Sequence, residues 1–375
     1  MVTLVQDAVF LFPNKQNGVI QTLTINGEDT EIQGRYLEDD ELVFTDEKPY
    51  VIYGYMMVGA EDNAPKTLTM QAGTKVHFHK NSGLIINKNS SLQIWGSKNI
   101  EGQPETEVVL QGDRLEPEYE NVAGQWGNIM FLNGSVNNYI NYATIKNGRI
   151  GLLPQGAQFL NTPVLEIHNT QIYNMSTAGI LGVYTNIRAD NLVVNNCGLS
   201  DLMVIVGGVY NFTHCTFGNA NNPRSTPNIW LMDSNKRFKE EEEELIAADF
   251  YELNFTNCIL GGGGRIELLL EKEGADTEFN MHFANNLIQF NDTNHDYQDN
   301  PLFDFTNTDW YENNIFNANP DFKYEILNDL RIGADSDAIG QALLSGTTEV
   351  PEDILGTARS NPADIGAYEH INFDE

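Results

Sequence analysis

The chain has 375 residues, 41% of them hydrophobic and 10% aromatic, which supplies a packed core and excludes a disordered polymer. Its 53 acidic residues outnumber 21 basic ones, a formal net charge of −32, leaving no basic stripe for nucleic acid and disfavouring polyuronates unless a divalent cation or a local Arg/Lys cluster intervenes. No run reaches the ~18 apolar residues of a membrane span, and Met1 to Gly18 has neither the basic start nor the apolar centre of an export signal.

Residues 1–66 read as an N-terminal cap and first coils, with strand candidates at Val9 to Phe12, TLTING and ELVF. From Thr67 to Ser97 the pattern sharpens: Leu68/Met70, Val76/Phe78, Leu84/Ile86 and Leu92/Ile94 recur every eight residues, separated by Ala-Gly-Thr, Asn-Ser-Gly and Asn-Ser-Ser turns. Period-2 alternation puts each pair inside and points Lys75, His77 and His79 outward. An antiparallel meander shares this spacing, so the longer period decides. Ile145, Ile172, Val193, Phe217, Leu260 and Ile288 mark similar segments at intervals of 27, 21, 24, 43 and 28 residues. Three eight-residue strands make one coil of 24, and the long interval holds an insertion around 220–250.

Stacking like on like then aligns Asn169, Asp190, His214, Asn257 and Asn285, each three residues before its marker, as a polar ladder. The core runs over 67–299, and 300–375 form the last coil and an irregular C-terminal cap, with no linker cutting the chain into independent domains. The predicted fold is all-β, a single-stranded right-handed parallel β-helix with about three strands per coil. Cys197, Cys215 and Cys258 form no dense framework and no C-x-x-C pair, and read as packed thiols, their disulfide status open.

KTLTMQAGTKVHFHKNSGLIINKNSSLQIWG, VVLQGDR, GQWGNIMF, INYATIKNG, YNFTHCTF and the ending DIGAYE resemble right-handed parallel β-helix proteins of the bacterial envelope, predicted lipoproteins of the pectate-lyase-like superfamily, over about Asp7 to Glu369. The resemblance implies an extracellular or outer-surface location, with a leader and a lipidated cysteine upstream of Met1. It implies no catalytic residue, because that group has no assigned reaction. The wider superfamily contains lyases and hydrolases, a link at the level of fold only.

Candidate sites fall in four places. Lys75, His77 and His79 form the best basic group; two histidines on one strand face can flank a substrate or chelate a metal, or simply make a polar outer face. Gln111 to Trp126 breaks the eight-residue rhythm, so Asp113, Arg114, Tyr119 and Trp126 line a groove for a sugar, or pin a loop over a core edge. Asp292, Asn294 and Asp296 match the opening of a Ca²⁺ loop without its glycine and closing glutamate, and equally suit a solvated turn. Lys239 with Glu240 to Glu244 reads as an exposed loop or short helix, or as a docking patch for a basic partner. The N-x-D, D-D, G-H-G and R-x-K order of an inverting polygalacturonase is absent. The leading expectation is a non-catalytic surface protein presenting a glycan- or protein-binding wall, with no cofactor except Ca²⁺ if the turn binds it. The alternatives are a polysaccharide lyase or glycoside hydrolase, and an envelope spacer without a ligand.

Overall fold

In the computed structural model, Thr67–Gln71 lies parallel to Ser91–Trp95 with Leu68 opposite Leu92 and Met70 opposite Ile94, so the 24-residue period is the spacing between adjacent rungs. This excludes the meander, whose neighbours would run antiparallel. The described residues are 5, 7–14, 22–25, 28–156, 161–219, 226–240 and 244–373. Asn26 and Gly27 of the TLTING candidate and Glu241 to Glu243 of the acidic run lie outside them. Among them the fold is all-β, with short 3₁₀ turns and one helix, Leu344–Glu349.

The chain forms two compact units. The first comprises 1–166 and 170–177. Here each strand of a coil pairs with the strand three later: Lys75–Phe78 with Val108–Gly112, Gly83–Ile86 with Ile129–Phe131, and Ser91–Trp95 with Asn138–Asn141. One face stacks Val9–Leu11, Tyr50–Ile52, Lys75–Phe78, Val108–Gly112, Ala143–Lys146 and Gln171–Tyr173, all parallel. The eight residues of the Leu68 to Ile94 pairs are fully buried. They stack on their counterparts in adjacent rungs, because a single coil cannot cover its own apolar side.

The second unit comprises 167–169 and 178–375. One face stacks Val193–Asn195, Thr216–Phe217, Ile259–Leu260, Leu287–Ile288 and Ile315–Phe316. Phe217 aligns with Val194 rather than Val193, so the marker there is displaced by one; period alone does not separate two adjacent valines. The turn before this face uses a left-handed residue in each coil: Asn169, Asn191, His214, Asn257, Asn285 and Asn313, with φ from 45° to 56°. Asn191 therefore replaces Asp190 in the polar ladder, and Asn suits the position because its side chain tolerates this backbone region.

The next residue in each turn builds an inner ladder. The amide N–H of Cys215 donates to Cys258 Sγ (3.4 Å), that of Cys258 to Asn286 Oδ1 (2.8 Å), and that of Asn286 to Asn314 Oδ1 (2.9 Å). Sulfur thus takes the acceptor place that the amide oxygen fills one rung later. None of the three cysteines forms a disulfide, and all are buried. Along the outer side of the turns runs the C-terminal segment: Asn285 donates to Gln341 O, Asn257 bonds both N–H and C=O of Leu343, His214 Nδ1 meets Gly366 O, and Asn191 donates to Glu352 O. The buried Arg359 guanidinium fixes this segment through Glu369 (3.3 Å) and Asn191 (2.8 Å).

Candidate functional site

Register brings the first two groups of sequence candidates together in the first unit. Since Leu11, Ile52, Phe78 and Gly112 occupy successive rungs, the residues that follow them, Phe12, Tyr53, His79 and Asp113, form one outward column. Phe12 stacks on Tyr53 with ring centroids 4.9 Å apart, Tyr53 on His79 at 4.6 Å, and Phe10 extends the strip at 6.2 Å from Phe12. The two distances between rungs, 4.9 and 4.6 Å, approximate the ~4.8 Å spacing of neighbouring strands, so the sheet itself sets that ring spacing. Phe10 and Phe12 are 47% and 45% exposed.

His79 Nδ1 lies 2.7 Å from Asp113 Oδ2 at the end of the strip. Burial, helped by the Asp113 charge, raises the Tyr53 phenol above its ordinary pKa, so the ring is neutral and its hydroxyl remains a donor. Beside it, Arg114 donates to Glu116 (3.1 Å) and lies 3.8 Å above the ring of Tyr119, the last residue of the 3₁₀ turn Pro117–Tyr119. Lys75 is tied to Glu105 (2.8 Å) on the exposed surface.

Two expectations are corrected. His77 does not present its ring to solvent: it is 4% exposed between its register partners Val51 and Gln111, and its Nδ1 is 3.4 Å from Gly112 O. Burial pushes its pKa below the ordinary imidazole value, the Gly112 carbonyl and Asp113 opposing only partly, so it is a neutral packed histidine. Trp126 lines no groove: it is 2% exposed, stacks on Phe78 at 4.4 Å and donates Nε1–H to Lys146 O (2.9 Å). Gly148 makes the room, since a Cβ there would stand 2.8 Å from the indole.

The Asp292 carboxylate is spent on its own turn, one oxygen accepting from Asp296 N–H and the other from Tyr297 N–H, each at 2.9 Å. Asn294 and Asp296 are exposed. Among the described residues, no three His, Cys, Asp or Glu side chains stand together in a way that could hold a metal ion. The Asp292 side chain thus caps its own Asx-type turn.

Phe10, Phe12 and Tyr53 were missed in the sequence because each is far in sequence from His79. Aligning Val-Phe-Leu-Phe, Val-Ile-Tyr and His-Phe-His as successive rungs would have found them. No family model matches the chain, and neither a curated protein nor a solved structure proves similar to it.

Proposed function

We propose that the protein is a non-catalytic, extracellular or cell-surface right-handed parallel β-helix whose outer wall binds a neutral glycan along the Phe10, Phe12, Tyr53 and His79 strip. The observation that carries this reading is the strip itself: stacked, part-exposed rings on rigid strands offer flat apolar faces to sugar rings, and Asp113, His79 and the Tyr53 hydroxyl offer hydrogen bonds at one end. The −32 charge favours a neutral polymer over a uronate. The resemblance to envelope proteins supports the location and an upstream lipid anchor.

The test is calorimetric titration with neutral and acidic oligosaccharides against wild type, Tyr53→Ala and Phe12→Ala. Binding of a neutral ligand that weakens at least tenfold in Tyr53→Ala supports the reading; equal affinity in all three proteins refutes it. The 2.7 Å contact between His79 and Asp113 favours a second reading, in which the carboxylate orients an imidazole base for a lyase or hydrolase. Unsaturated or reducing ends released by wild type and not by His79→Ala would establish it.

A further inference from the structure

The second unit contains a different cavity, built where the wall turns a corner. In two successive rungs the corner is a kink inside one long strand: Tyr184 in Ala178–Asp190, and Val206 with Gly207 in Ser200–Thr213. In the next two rungs the kink gives way to the described segments 233–240 and 244–249, between Ile229–Met232 and Phe250–Thr256, and to 272–278, between Leu268–Glu271 and Phe279–Ala284. These segments stand beside the kinked strands and line an open depression of about 890 Å³. That falls within the ~300–1,000 Å³ of ordinary small-molecule sites.

The corner is held in a costly conformation. Val206, a β-branched residue, sits at φ +67° and Tyr184 at φ +45°, a left-handed backbone that side chains with a Cβ disfavour. Gly207 is required at φ +58°, because a Cβ there would lie 2.3 Å from Asp249 O and 2.4 Å from Ala248 O. The loops are pinned from below by the buried Asp233, whose carboxylate accepts from Glu273 N–H (2.9 Å), Gly274 N–H (3.0 Å) and the Thr277 hydroxyl. Strain held this firmly around a cavity points to a shape kept for a ligand.

The lining sets the ligand chemistry. Tyr184 and Tyr251 line it together, Leu245, Ile246 and Val206 supply apolar surface, and Asp249 and Asp276 supply the charge. The described lining contains no Lys, Arg or His. Carboxylates and tyrosine faces around an apolar floor, with no cation to balance them, complement an organic cation.

We infer that this cavity binds a small organic cation, an ammonium group on an apolar body, between Tyr184, Tyr251, Asp249 and Asp276. The inference is independent of the glycan reading, since no residue is shared. The probes are choline and its neutral isostere 3,3-dimethylbutan-1-ol, titrated into the full chain by NMR or calorimetry, with Tyr251→Ala and Asp276→Asn as surface variants that leave the core untouched. Choline binding at least tenfold tighter than the isostere, and at least fivefold weaker in either variant, supports the site. Equal binding of the two probes, affinity unchanged in both variants, or no choline binding up to ~10 mM overturns it.

Discussion

Glu267 offers a quantitative test of how the second unit tolerates charge in its interior. The residue is 1% exposed, and its oxygens accept from Gly264 N–H (2.5 Å) and Asn228 N–H (3.0 Å). Burial outweighs those two bonds and raises its pKa from 4.5 to about 7. Because the folded value exceeds the unfolded one, the stability it contributes is fully present below about pH 4.5 and is lost as pH rises through about 7. A rise of that size corresponds to about 3 kcal/mol. Glu267→Gln removes the titration and leaves one N–H facing an amide NH₂, a constant cost of about 1–3 kcal/mol. Urea denaturation of both proteins from pH 4.5 to 8 should therefore show the wild-type advantage shrinking by about 3 kcal/mol across that range. Repulsion among the remaining acidic groups acts on both proteins and cancels in the difference. Parallel profiles would refute the reasoning, showing that the two N–H bonds fully offset desolvation.

Four further outcomes are expected. Gly207→Ala forces a Cβ against two carbonyl oxygens at positive φ and should cost at least ~2 kcal/mol by denaturation; a neutral result would mean that loop 233–249 shifts freely. Asn257→Ala loses the left-handed preference and both bonds to Leu343, so a loss of about 2–4 kcal/mol and faster proteolysis after residue 340 should follow. Unchanged cleavage would show that the C-terminal segment is held elsewhere. The three cysteines should resist a water-soluble thiol reagent in the native protein and all react in denaturant, burial having raised the Cys215 thiol well above its ordinary pKa; rapid native labelling would contradict the inner ladder. Trp126→Ala should destabilise by about 3–5 kcal/mol while leaving glycan affinity intact, because the indole fills the space above Phe78; lost affinity in a stable variant would return Trp126 to the binding surface.

The parallel rungs were legible because period 2 and period 24 both survive in the sequence from Thr67 to Ser97, where every apolar pair is inward. What period does not encode is which outward residues are covered. His77 and His79 have the same sequence signature, yet one is packed between rungs and the other is 48% exposed beside Asp113. Trp126 stood in a stretch without rhythm, and the room for its indole, left by the missing side chain at Gly148, shows only once the rungs are stacked. The insertion around 220–250 was visible as an overlong interval, but its role as a cavity wall depends on the kinks at Tyr184 and Val206. The Gly207-Gly208 pair inside a long apolar run was the one local hint of that corner.

The C-terminal segment changes the physics of the coils it touches. A stack in which each rung contacts only its neighbours behaves as a one-dimensional chain of coupled units, free to fray from an exposed end. By bonding Asn191, His214, Asn257 and Asn285 in turn, residues 341–366 couple rungs that are not adjacent. Opening any one of those rungs then requires releasing a tether shared by the others, so this part of the unit should unfold as one cooperative block, with amide exchange uniform from Asn191 to Asn285 rather than graded.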